Sequence, residues 1–230
     1  MVSVVNRRLR QLYKQTATDF FRSSRLQSQY VGPFLTSCPD GYSELRIPWI
    51  YVGQETCGWQ RMRAASEVPD LMSTHTSFCS RNPRAGTPFW SFAYALDRRI
   101  NPGGPIRSFI WSNLSRIGKA GSAGRVPNSV LEFWTKRRLL ASEVRIFKPK
   151  ILLLVTGPAY DDLLKEEFPG ISLSPLSPDS PISEIRHADL PELSFRAYHP
   201  AYLRRRDSER KVVEFLVRRI SRQESLHGKA

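Results

Sequence analysis

Four polar side chains stand where apolar runs end. Gln54 and Glu55 follow Ile47-Pro48-Trp49-Ile50-Tyr51-Val52-Gly53, Asn113 follows a run ending at Trp111, and His199 follows Leu193 to Tyr198. Two amides, a carboxylate and an imidazole around an apolar slot suit recognition of a planar heterocycle. An Asn side chain presents a donor and an acceptor side by side, matching the edge of a pyrimidine. A nearby carboxylate can orient water or offset a developing positive charge. Taken singly, each has a plainer reading: Glu55 as an ion-pair partner, Asn113 as a turn residue satisfied by its own backbone, His199 as an extended residue before proline.

The groups can act together only if the chain brings them to one place. The apolar run at 47–53 reads as a strand, as do Ile106 to Trp111, Ile151 to Val155 and Leu193 to Tyr198. Between them, Pro88 to Ile100 has helical period and starts on a first-turn proline, Ser129 to Phe147 reads as one helix, and residues 159–167 as another. A basic amphipathic helix is expected over 3–28, with Val5, Leu9, Leu12, Phe20 and Phe21 on its apolar side, and a C-terminal helix over 207–222. Residues 60–87 and 172–184 read as loops, the latter from its Ser and Pro content, and Gly118 to Gly124 as a glycine-rich loop. Trp90, Trp111 and Trp134 are expected in or beside the core.

Strands alternating with helices predict an α/β fold, a three-layer α/β/α sandwich with a short, mainly parallel central sheet, as one domain over residues 1–230. A parallel sheet collects the C-terminal ends of its strands on one edge, which is where Gln54, Glu55, Asn113 and His199 fall.

A hydrophobic content of 40% with 24% charged residues fits a globular chain and excludes a disordered one. No apolar run approaches the ~20 residues of a membrane span, and no apolar stretch follows Arg7, Arg8 and Arg10 as a secretory signal would require. Three widely spaced cysteines, Cys38, Cys57 and Cys79, predict a reduced, cytoplasmic setting, close to the nucleoid in a prokaryote. His75 and Cys79 lack a second ligand pair, so no metal is expected, and Gly118-Lys119 is no phosphate loop. The formal net charge of +14 predicts a polyanionic partner, and Arg204, Arg205 and Arg206 directly after the third polar strand end point to nucleic acid.

Together these segments resemble the uracil-DNA glycosylase superfamily. Gly53-Gln54-Glu55 matches the start of its Gly-Gln-Asp-Pro-Tyr-His motif, with Glu55 where the water-activating Asp stands. Phe109-Ile110-Trp111-Ser112-Asn113 is similar to the strand ending in the base-reading Asn, and Tyr198-His199-Pro200-Ala201-Tyr202-Leu203-Arg204-Arg205 to the His-Pro-Ser-x-Leu segment. The resemblance covers roughly residues 45 to 206, with about a dozen diagnostic positions. It implies a cofactor-free monomer that flips a nucleotide out of DNA and releases the free base by hydrolysis of its glycosidic bond. Asn113 would then bind the base edge. Gln54 (through nearby backbone amides) and His199 would stabilise charge on the departing base, while Glu55 positions water. Leu203 would fill the gap in the duplex, and Arg204, Arg205 and Arg206 would hold phosphates. Phe78 is the expected stacking ring, chosen over Phe89 and Trp59.

The chain departs from that pattern in specific places. Glu55 is one methylene longer than Asp, Thr56-Cys57-Gly58-Trp59 replaces Pro-Tyr-His, Ala201 replaces a phosphate-binding Ser, and the four-cysteine cluster pattern of some relatives is missing. The alternative reading is therefore a non-catalytic nucleic-acid-binding or lesion-sensing protein on the same fold. An enzyme acting on free nucleosides is a further alternative, which the basic residues after Leu203 oppose.

Overall fold

The computed structural model describes residues 2–23, 29–56, 59, 67–81, 86–105 and 107–227. The expected features at 24–28, 60–66, Cys57, Gly58 and Ile106, and the side chain of Phe21, lie outside the described residues.

In chain order the elements are α1 (Val2–Ser23), β1 (Tyr30–Val31), β2 (Trp49–Gly53), α2 (Val68–Ser80), α3 (Pro88–Ile100), β3 (Ile110–Asn113), β4 (Gly118–Lys119), α4 (Asn128–Thr135) and α5 (Leu139–Phe147). Then come β5 (Ile151–Leu154), α6 (Asp161–Glu167), β6 (Ser172–Pro175), β7 (Ile182–Arg186), β8 (Leu193–Ala197), α7 (Pro200–Arg205) and α8 (Glu209–His227). Six strands form the central sheet in the order β3-β2-β5-β8-β7-β6. The first four are mutually parallel and fully buried, and β7 and β6 extend the sheet antiparallel. The helices sort into two packed groups, α3 with α7 and α8, and α1 with α2, α4, α5 and α6. The fold is mixed α/β, a mostly parallel sheet flanked by helices, compatible with three layers. None of the described helices is long and apolar enough to cross a membrane.

Two buried polar clusters fix the strands that matter. At the start of β2, Asn101 grips the backbone of Ile47 from both sides, at 2.8 and 3.1 Å, and Asp97 accepts from the Trp49 indole at 2.8 Å. These contacts lock the end of α3 to the strand. Beside β3, Arg116 and Glu143 form a fully buried ion pair at 2.8 Å, and Glu143 also accepts from Ser112 in β3 and Tyr13 in α1. Removing one partner of such a pair costs about 3–5 kcal/mol, because the other charge is left buried alone.

Three sequence expectations fail, each for a physical reason. Within the expected 60–87 loop lies α2, whose Ser, Thr and His content hides its period and whose buried face is only Leu71, Met72 and His75. The expected helix 129–147 is broken into α4 and α5 by Arg138, which takes a left-handed conformation at φ 50°. Its guanidinium is held there by the Glu167 carbonyl and the Asp189 carboxylate, at 3.0 and 2.7 Å. The expected 172–184 loop contains the hairpin β6–β7, in which the mostly exposed edge strand β6 tolerates Ser and Pro because its outer side needs no ladder bonds. The glycine-rich segment begins as the small strand β4, paired with β1.

Candidate active site

The parallel register sets Gly53 of β2 directly opposite Asn113 of β3. A Cβ at Gly53 would come within 2.4 Å of the Asn113 carboxamide oxygen and 3.1 Å of the Phe89 ring, so glycine is required for the two to crowd the strand end. Alternation along β3 sends Ser112 to the Arg116–Glu143 cluster and Asn113 to the opposite face of the sheet. Asn113 is 1% exposed, and its side-chain nitrogen has no hydrogen-bond partner among the described residues. A buried donor left unpaired costs about 1–3 kcal/mol; the Thr56 and Thr156 hydroxyls and the Trp111 and Trp134 indoles are other such groups among the described residues.

His199 ends the segment after β8 and caps α7, its Nδ1 accepting from the Ala201 N–H at 3.2 Å. Burial, then the neighbouring Arg205, lowers its pKa, so the imidazole is neutral at neutral pH. With Nδ1 an acceptor, the proton sits on Nε2, which has no partner among the described residues and is free to donate. Phe89 stacks on the His199 ring at 5.9 Å and lies against Gly53, joining the ends of β2 and β8.

Gln54 and Glu55 occupy the same edge. The Gln54 side-chain amide donates to the Thr156 carbonyl beyond β5 at 2.7 Å, while the Gln54 backbone carbonyl accepts from Ser115 N–H at 2.8 Å. It thereby bridges the crevice between β2 and β5, where the connections of the sheet diverge to either side. Glu55 is held at both oxygens. One accepts from Gly124 N–H at 3.1 Å, and the other accepts a short hydrogen bond from the Tyr160 hydroxyl. Burial and that bond raise the Tyr160 pKa, so the phenol stays protonated and donates.

Gln54, Glu55, Asn113 and His199 thus share one sheet edge. Two expected residues lie elsewhere. Leu203 is 0% exposed and packs in the core, so it cannot be the side chain pushed into a duplex. Phe78 meets Trp59, Trp90 and Trp111 rather than His199, and Trp59 is buried against Phe34; of the three aromatic candidates, Phe89 borders the site. Among the arginines, Arg204 is tied to Glu209 at 2.7 Å and to Ser91 at 2.7 Å, whereas Arg205 and Arg206 are exposed without an ion pair among the described residues. Tyr160 and Thr156 were not anticipated, although both follow β5 on the same edge and the strand-end argument extends to them.

No group of three or more metal-ligating side chains converges among the described residues. His75 and Cys79 do meet at 3.7 Å, but burial drives the imidazole down to about 3 and the thiol up to about 12, and His75 is spent on Ser37 and the Trp111 carbonyl. A groove lined by Ile47, Lys150, Leu193 and Ile220 lies at the opposite ends of the strands. No protein-family model and no curated protein matches the chain.

Proposed function

We propose that the chain is a DNA glycosylase of the uracil-DNA glycosylase type, hydrolysing the N-glycosidic bond of uracil or another deaminated base that has been flipped from the strand. The observation that carries this reading is the buried amide nitrogen of Asn113, on the same sheet edge as the Nε2–H of His199, both without a partner among the described residues. A base seated there would place one carbonyl on Asn113 and another on His199, against the Phe89 ring. As the glycosidic bond breaks, its electron pair leaves with the base, and the neutral His199 donor stabilises the resulting oxyanion. A water positioned by Glu55 adds its oxygen to the sugar carbon and passes a proton to the Glu55 carboxylate, which returns it through solvent to the base anion, giving an abasic sugar and a neutral free base.

The second reading, a lesion-binding protein without turnover, draws support from Glu55 itself, whose two oxygens are already engaged by Tyr160 and Gly124. The two separate in a strand-cleavage assay on labelled oligonucleotides carrying one uracil, hypoxanthine, xanthine or T·G mismatch, with alkali breaking any abasic site. Glycosylase action predicts a lesion-specific product lost in Glu55→Gln and His199→Ala, with DNA affinity kept within a few fold. Salt-sensitive DNA binding with no product from any lesion would favour the second reading.

A further inference from the structure

We propose that Tyr198 and Tyr202, flanked by Arg206, form a stacking platform for an unpaired nucleobase beside the site, directing the chain to single-stranded or locally opened DNA. The proposal rests on the nucleic-acid reading above and supplies the contact that buried Leu203 cannot make.

The two rings stack at 4.5 Å between centroids with only 19° between their planes. Both are part-exposed, and neither hydroxyl is bonded to a described residue. Tyr198 lies beside Gly157, where a Cβ would stand 3.7 Å from its ring, an ordinary contact distance; the glycine answers to its left-handed φ of 67° and does not make room for the ring. Tyr202 is the ring that Arg206 faces, its guanidinium 5.7 Å from the centroid. That gap is wider than van der Waals contact, and Arg206 is exposed and free of ion pairs among the described residues, so it can move aside or over an incoming base.

Position gives the platform its use. Tyr198 immediately precedes His199, and Tyr202 lies in the first turn of α7, the helix that His199 caps. A base on Tyr202 would therefore be a near neighbour of the nucleotide whose base reaches Asn113. Stacked aromatic faces beside arginines are how proteins hold single strands without reading sequence, because every base has a π-face. Bases inside a duplex already stack on each other, so the platform discriminates in favour of unpaired ones.

The test uses the full chain and a lesion-free oligonucleotide carrying 2-aminopurine, whose fluorescence is quenched on aromatic stacking. The wild type is expected to quench the probe and to bind the single strand more tightly than the duplex of the same sequence. Tyr202→Leu, which keeps apolar cover without a ring, should weaken single-strand binding about tenfold and abolish the quench, while Tyr202→Phe retains both. If Tyr202→Leu fails to fold, Tyr202→Phe against Tyr198→Leu makes the same comparison. Wild-type binding with quench and affinity unchanged in the leucine variants would overturn the platform. It would leave the glycosylase reading intact, since lesion cleavage is measured separately. Absence of binding to any strand would overturn both.

Discussion

On the glycosylase reading, Asn113 is the residue at which stability and function pull apart. A strand-end asparagine in sequence is compatible with an ordinary turn; the structure instead seals it at 1% exposure with its amide nitrogen unpaired among the described residues. Its desolvation costs about 1–3 kcal/mol, a cost that the fold also carries at Thr56, Thr156 and Trp134 among other described residues. Asn113→Ala removes the orphan and leaves only a small void next to Gly53. The variant should melt within a few degrees of the wild type, or above it, while lesion cleavage falls roughly a hundredfold or more. Differential scanning calorimetry alongside the cleavage assay decides this. A large drop in melting temperature would mean that the amide is bound to the protein after all and has a structural role. His199 argues in the same direction: its capping bond fixes the tautomer, and the fixed tautomer leaves a donor with no protein partner among the described residues.

At the level of elements, α5 begins without a capping side chain of its own, because Arg138 precedes it in a left-handed conformation. Its first turn is served instead by Glu167 of α6, which accepts from Ala141 N–H at 2.8 Å. Burial pushes the Glu167 carboxyl up to about 8 from 4.5, against the pull of Arg116 and with a push from Glu143. Between those two values the folded chain holds a proton that the unfolded chain has released. Stability from this group is therefore whole below about pH 4.5 and is lost as pH rises toward about 8. The loss is on the order of 5 kcal/mol. Glu167→Gln keeps the acceptor and cannot ionise, so its stability should gain on the wild type steadily from pH 5 to pH 8 in urea denaturation. A constant difference across that range would show that the carboxyl is not protonated in the fold. Such tertiary caps explain where sequence reading succeeds and fails. α3, β2, β5 and β8 were legible because period, proline and apolar runs agree with their burial. The break at Arg138, the helix around His75 and the edge hairpin were not, because each is set by partners distant in the chain, namely Asp189, Ser37 and β8.

The whole molecule carries +14, and the site lies beside part of that excess. Not all of the basic side chains are available. Arg204 is spent on Glu209 and Arg210 on Glu214, whereas Arg205, Arg206, Lys211, Arg218 and Arg222 are exposed and free of ion pairs among the described residues. Each arginine or lysine that neutralises a phosphate of a single strand contributes about −0.7 to the slope of log K against log salt. If all five engage, the slope is roughly −3.5, and affinity should fall about a hundredfold between 50 and 200 mM salt. Fluorescence anisotropy across that range measures the slope, and Arg205→Gln with Arg206→Gln should flatten it by about 1.4 units if both touch phosphate. A slope near zero would remove nucleic acid as the main partner, and with it both the glycosylase reading and the stacking platform. A steep slope unchanged in the double variant would move the phosphate track off α7 and onto α8, away from His199, and the geometry of the site would then have to be read without a strand lying over it.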